Sequence, residues 1–544
     1  MQHGIFRYFF QAHKFALVAS IVFFIVSSVH AYDHECGTIK AISNILSNKK
    51  LGKASTRYSE QCAPEAFYDT VYTIETNHFQ IFYVLKGPHA TTKAFAESTA
   101  TSMEKAWDFY INQHKMHAPQ SVSTTIHYQK EPKEGLYPIE IVDLSRIRDS
   151  DYRCNKCFGL TVPYSKSQIF LDNDFKSPTS FSNEKDTTFF NGDTCTYDKA
   201  TDELYNLTYD YSYADEWLKG IKVTAFHEFY HAIQLTYISM FDNETFWFEA
   251  SAAGFEEITN PDIDDYIRYI PNLFKAMGTP LSDNFSNYGA STLFLYLYQK
   301  ISKNLDRSIW ENYSKNPTKN FEYQIEKALN ELNLNADSIF HDYSVRLSFS
   351  GKRATDIKEK EWINDDQSQW PNAIFRDNDE ITPDLKSLAF DFYNTTNGEF
   401  TPNLTNFIGK ASVIIYSNGK ASIHKIQSTK TIDSLTSVLA LSDSSTWIFS
   451  RLGDSENIPI TNSNAAPHAF PVPWRDGPLC FAPLPKDKKF IELRTRRGDL
   501  ISQEKYEGTS YCLQEEQVKS MMAPGIYRFR VGNTGKTTSF IVIY

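Results

Sequence analysis

With 544 residues the chain is longer than one hydrophobic core commonly organises, so about two to four domains are expected. Hydrophobic residues make up 41% and charged residues 22%, a globular balance that excludes a largely disordered chain. The net charge of −11 and the lack of a long basic run argue against nucleic acid as a partner.

The N-terminus has the layout of an export signal. Arg7 and Lys14 supply positive charge, Phe15 to Val29 is nearly unbroken apolar sequence, and Val29-His30-Ala31 places small residues before a cut. Residues 1–31 are therefore expected to be removed, leaving Tyr32 first. The other reading, an uncleaved anchor, needs a longer apolar run. No other stretch is apolar enough to span a bilayer, so the mature chain is expected to be secreted, periplasmic or on the cell surface, with no stable membrane span. Seven cysteines then suggest disulfides. Cys36 with Cys62 and Cys480 with Cys512 are local pairs, and one of Cys154 and Cys157 is expected to bridge to Cys195. Cys154-Asn-Lys-Cys157 as a redox motif or half a zinc knuckle lacks a second Cys-x-x-Cys and a thioredoxin-like context.

Residues 32–66 form a short lead-in, partly helical around Ile39 to Ile45. A strand-rich lobe is expected over 67–211. In it, Val71 to Leu85 alternates apolar residues as a strand turning near Asn77, and Gly87-Pro88 ends it. Thr91 to His114 carries Phe95, Met103, Ala106, Trp107 and Tyr110 at helical spacing. Tyr137 to Leu144 and Ser167 to Asp172 are further strands, and 173–211 is polar loop. Residues 212–350 hold a long helix from about Ser212–Asp215 to Met240, a second from Phe246 to Thr259, and a helical lobe. That lobe is assigned helices at 264–277, 288–302, 321–332 and 336–347. A polar linker or wrapping segment covers 351–382. Beyond Pro383 the pattern changes to short alternating strands at 388–393, 411–416, 421–426 and 446–451, with Ser417-Asn418-Gly419-Lys420 as a hairpin turn. More strands follow at 489–494, 526–531 and 538–544. This spacing predicts β-sandwich modules at 383–465 and 466–544.

The chemistry concentrates in Thr224 to Gln234, which contains His227-Glu228-Phe-Tyr-His231. Residues four apart share one helix face, so both imidazoles can reach one ion, and Glu228 projects nearby to hold a water. Glu249, 17 intervening residues beyond His231, offers a third ligand. Three protein ligands leave a fourth position open, the pattern of a catalytic rather than a structural zinc. Zn2+ is thus the expected cofactor, with Glu228 as general base. Glu256 or Glu257 could orient a ligand histidine; seven residues past Glu249, Glu256 shares its helix face and is favoured. The competing explanation of the motif is a helix with two buried, hydrogen-bonded histidines.

The spacing His227-Glu-Phe-Tyr-His231, then Trp247-Phe-Glu-Ala-Ser-Ala252, resembles the gluzincin zinc metallopeptidases across roughly residues 70–350. The resemblance implies an α+β zincin-like catalytic domain, a mixed-sheet lobe beside a helical lobe, acting on a protein or peptide substrate. It also implies a Tyr or His donor from the helical lobe to steady the oxyanion, for which Tyr288 is chosen. Glu256 matches an acidic position that some aminopeptidase-like members keep. Two positions depart from the pattern: Ala250 stands where a glycine often follows the ligand glutamate, and Ala253 where thermolysin-like members have an aspartate. Gln234 to Met240 lacks the further histidine motif of metzincins. With no Gly-x-Met-Glu-Asn upstream, endopeptidase action is favoured over aminopeptidase action. The alternative function is a non-catalytic exported binding protein on a peptidase-like scaffold with its β modules engaging a partner.

Overall fold

Alternating apolar side chains build the first sheet. In this computed structural model, which describes residues 37–38, 41–42 and, with short interruptions, 70–175, 181–200, 213–238, 246–377, 384–453 and 467–543, that sheet has five strands. They are β1 (Tyr72–Glu75), β2 (Phe79–Tyr83), β3 (Tyr137–Val142), β4 (Gly159–Thr161) and β5 (Ile169–Asp172), in the order β1-β2-β3-β5-β4. β2, β3 and β5 run parallel, and β1 and β4 lie antiparallel at the two edges. The parallel strands are buried on both faces, as such strands require. Phe79, Ile81, Ile139, Ile169 and Leu171 face the helices, while Phe82, Val142 and Phe170 face a smaller core with Cys154 and Cys157. The expected signal at 1–31 and the Cys36–Cys62 pair lie outside the described residues.

Helix α1 (Lys93–Trp107) follows β2, capped at its N-terminus by the Thr92 side chain accepting from the Phe95 N–H at 3.1 Å. It packs against the sheet and α2 (Trp217–Gln234), the helix carrying both histidines. α2 is shorter than the sequence predicts. Glu216 precedes it without a side-chain cap, and after Leu235 the backbone tightens into turns closed by Thr236 N–H to Ile233 O and Tyr237 N–H to Gln234 O. The stretch 173–211, expected as loop, contains a hairpin of β6 (Phe181–Phe190) and β7 (Asp193–Ala200). The expected bridge to Cys195 is also corrected. Cys154 and Cys157 pair with each other, side by side in the small core, whereas Cys195 belongs to β7 opposite Thr188.

α3 (Phe246–Thr259) packs on α2, and the helical lobe continues it. Expected helices at 264–277 and 288–302 are broken: each begins as a 3-10 turn, and the second ends in a wider π turn. Helix α4 (Leu305–Lys315) lies inside the expected helical lobe but between its assigned helices, and Leu305, Ile309, Trp310 and Tyr313 lie on its buried face. α5 (Phe321–Glu331) and α6 (Ala336–Leu347) match expectation within a residue or two. Residues 351–377 wrap the lobe and bury Ile363 and Trp370 in its core.

The C-terminal strands form three further sheets among the described residues. β8 (Ala389–Thr395), β9 (Lys410–Ser417), β10 (Lys420–Ile426) and β11 (Ser444–Arg451) join the short strand Arg376–Asp377 in a five-stranded sheet. Its Phe390, Phe392, Ile414 and Ile448 enter the core of the helical lobe, and its opposite face packs Val413, Trp447 and Leu439. The last two sheets hold β12 (His468–Phe470), β13 (Leu479–Ala482) and β16 (Tyr511–Leu513), and β14 (Phe490–Thr495), β15 (Leu500–Lys505), β17 (Gly525–Val531) and β18 (Thr538–Val542). They share one core around Trp474, Phe481 and Phe529. Cys480 and Cys512 are bonded directly across β13 and β16, the pairing the sequence suggested. The chain is mixed α/β with several separate sheets.

One buried acid ties the helices together. Asp306 on α4 accepts from Tyr230 Oη of α2 and from Trp247 Nε1 of α3, the latter at 3.0 Å. Burial pushes its carboxyl up to about 7, against the opposing pull of those donors. The unfolded chain loses that proton near about 3.9, so between these values only the folded state keeps it. The stability contributed by Asp306 is therefore full below about pH 4 and is lost as pH rises toward about 7. Asp306→Asn is expected to flatten this slope. Denaturant melts at about pH 5 and about pH 7.5 should show the variant gaining on the wild type by on the order of 1–3 kcal/mol. Parallel pH dependences for the two proteins would remove Asp306 as the titrating group.

Candidate metal centre

α2 is buried almost all round: from Ile221 to Gln234 every residue except Lys222 lies in the interior. Such a helix is held by its surroundings rather than by propensity. Phe229 meets Phe79 edge-on at 5.1 Å and stacks on Trp107 at 5.8 Å, and Tyr110 Oη donates to Phe226 O at 3.2 Å. These contacts fix the helix's rotation and leave His227 and His231 facing α3.

α3 places Glu249 opposite them, and ligand atoms of all three lie within 4.8 Å of one another. The two Nε2 atoms are 2.9 Å apart, with Glu249 Oε2 at 3.3 Å from His227 Nε2 and Glu249 Oε1 at 3.4 Å from His231 Nε2. A tetrahedral ion with bonds of about 2.0–2.1 Å separates its ligands by roughly 3.3 Å, so the three positions suit one cation.

The hydrogen bonds behind the rings decide which nitrogens converge. His227 Nδ1 contacts Glu256 Oε1, and His231 Nδ1 donates to Gln234 Oε1 at 2.7 Å. Gln234 is oriented in turn, because its Nε2 donates to Phe248 O and Ser251 Oγ, both at 3.0 Å. With a proton on each Nδ1, both Nε2 atoms present lone pairs to the same point. Neither Glu249 oxygen, each buried, accepts a hydrogen bond. Two imidazole lone pairs and a donorless carboxylate facing one another could hold a divalent cation, whereas a purely structural histidine pair would supply donors.

The remaining predicted residues gather here. Glu256 sits behind His227, and burial raises its carboxyl against the pull of that ring. Glu257 turns away: its Oε1 accepts from Asn364 Nδ2 at 2.9 Å, in an acidic group with Asp264 and Asp366. Tyr288 stacks over His227 with ring centres 6.0 Å apart, and Tyr269 stacks on Tyr288 at 4.4 Å. Phe248 lies flat on His231 at 4.2 Å. Glu228 reaches toward the edge strand β4. Its Oε2 is 2.8 Å from Thr161 Oγ1 and accepts from Thr38 Oγ1 at 3.0 Å. Gly159 makes room for it, since a Cβ there would fall 2.5 Å from Glu228 Cγ. Sequence reasoning did not assign Gln234, Thr161 or Thr38. Gln234 was accessible to it, being three residues past His231 on the same helix face.

Gln234→Ala and Glu256→Gln are each expected to weaken metal binding about 10- to 100-fold, measured by competition with a chromophoric chelator. His231→Ala should lose it altogether; unchanged affinity in that variant would show that the cation sits elsewhere. No protein-family model matches this chain and no curated protein matches it, so any functional assignment rests on the geometry of these residues.

Proposed function

We propose that the chain is an exported zinc metallopeptidase with a zincin-like catalytic region, β1 to α6, to which β modules are appended. One observation carries this reading: two imidazole Nε2 atoms with braced Nδ1 partners, on the helix that also bears Glu228, meet a buried carboxylate that has no donor. His227, His231 and Glu249 would hold the ion. When bound there, zinc would acidify a water and polarise a scissile carbonyl. Glu228 takes the proton from the water and returns it to the departing amine. Tyr288, beside His227, supplies a hydroxyl donor to the oxygen that gains charge. Glu256 and Gln234 keep both rings in the tautomer that binds.

Endopeptidase action is supported by the edge position of β4. An extended peptide can pair along an unpaired strand edge, and β4 lies against Glu228. Export is supported by the bonded cysteine pairs and by the signal-like N-terminus. Among the described residues no helix is long and apolar enough to cross a membrane.

Glu228→Gln is expected to retain one equivalent of zinc while hydrolysis of a peptide library falls about 10²- to 10⁴-fold. Tyr288→Phe should lower kcat by about 10²-fold or more with KM little changed. A second reading, a metal-bearing but non-catalytic binding protein, draws support from the burial of the site: Glu228, His231 and Glu249 are 2%, 0% and 2% exposed. One equivalent of zinc without hydrolysis of any library peptide would favour that reading and end the first.

A further inference from the structure

The proposed chemistry needs a peptide to reach Glu228, which is buried in this structure. A groove of about 870 Å3 between β1, α1 and the end of α3, lined by Ile74, Glu104, Phe109, Phe226 and Ile258, includes none of the site residues. What lies on Glu228 from outside both lobes is Gly37–Thr38. Thr38 Oγ1 donates to Glu228 Oε2 at 3.0 Å and accepts the Thr161 N–H at 2.8 Å. That N–H points away from β5, on the free edge of the sheet. Gly37 presses its backbone against the same strand: a Cβ there would fall 2.6 Å from Gly159 O and 2.8 Å from Leu160 Cβ. Farther along, Ala41 is buried in the small core with Leu160 and Phe82.

We propose that Gly37–Thr38 is an inhibitory plug, seated where an extended peptide substrate would lie. Thr38 occupies the two groups such a substrate competes for, the outward N–H of β4 and the proton-accepting oxygen of Glu228. A hydroxyl serves this purpose because it donates to the carboxylate and accepts from the amide at once, yet offers no scissile bond. Glycine precedes it because any side chain would strike β4. Two neutral or singly charged hydrogen bonds hold such a contact by roughly tenfold to a hundredfold in occupancy, weak enough to be released. The inference rests on the peptidase reading, and its test separates the two.

Two full-length variants address it, Thr38→Ala, which removes both hydrogen bonds, and Gly37→Val, which drives a side chain into β4. Two readouts are needed: hydrogen exchange at the Thr161 amide, which needs no activity, and hydrolysis of a fluorogenic peptide library by the zinc-loaded chain. The plug requires faster Thr161 exchange in both variants together with a rise in kcat/KM of about tenfold or more. Unchanged exchange in Gly37→Val would overturn the contact whatever the activity. Faster exchange with hydrolysis equal to or below a measurable wild-type rate would overturn inhibition and make Thr38 a positioning residue for Glu228. Faster exchange with zinc bound and no hydrolysis in any of the three proteins would reject the peptidase reading, and the plug with it.

Discussion

Everything at the centre depends on holding two imidazoles, one helical turn apart, with their lone pairs aimed at one point. Nothing intrinsic to α2 does this. The rings could rotate, change tautomer, or turn their N–H groups toward Glu249 and form an ordinary buried hydrogen bond. Glu256 and Gln234 prevent it by engaging the Nδ1 positions, and Gln234 is itself pinned to the backbone of α3 by Phe248 O. The relation of α2 to α3 therefore sets the geometry of the centre. Asp306 guards that relation by bonding one aromatic residue from each helix beside the motif.

Such a centre is costly to fold. A buried acceptor with no donor costs about 1–3 kcal/mol, and more when it carries charge, and the facing lone pairs add to it. The offset lies in the aromatic packing around α2, where Phe79, Trp107, Tyr110, Phe229, Tyr230 and Phe255 meet mostly edge to face or tilted. Each such pair adds about 0.5–1.5 kcal/mol beyond its buried area. The β8–β11 sheet extends this support. His341 of α6 bridges to it through Ser450 Oγ and Ser412 Oγ at 2.7 and 2.8 Å, and burial lowers its pKa to about 4, so it joins the two as a neutral ring. A sheet that shares the lobe's core in this way stiffens the lobe, and the sequence, with its change of pattern after Pro383, suggested a more separate module.

The parts of the site that lie within one helix or between neighbouring helices were legible in the sequence. His227 and His231 follow from a four-residue spacing, and Glu256 from the seven-residue spacing to Glu249. Tyr288 followed from a resemblance rather than from periodicity. The first sheet was legible too, because its strands carry long aromatic and β-branched runs. The misses have local causes. The hairpin β6–β7 is polar, so its alternation carries little hydrophobic contrast. α4 is apolar only on one narrow stripe in a stretch dominated by polar residues, and its Asp306 looks like any exposed first-turn acid until Tyr230 and Trp247 are placed over it. The pairing of Cys154 with Cys157 runs against the usual expectation for disulfides, which favours bridges between cysteines distant in sequence.

Thr38 marks the limit of that kind of inference. It is 190 residues from Glu228, in a stretch with no motif, and threonine is among the least distinctive residues in a chain. Periodicity reports which face of an element is buried, never which distant segment lies across it. Yet the fold constrains the contact tightly once β4 is known to be an edge. That edge places an outward N–H, which needs an acceptor, a few ångströms from a buried carboxylate oxygen that can take a second donor beside Thr161 Oγ1, so there are two demands to meet. A threonine hydroxyl meets both demands with a single atom, and a preceding glycine lets it come close enough to do so.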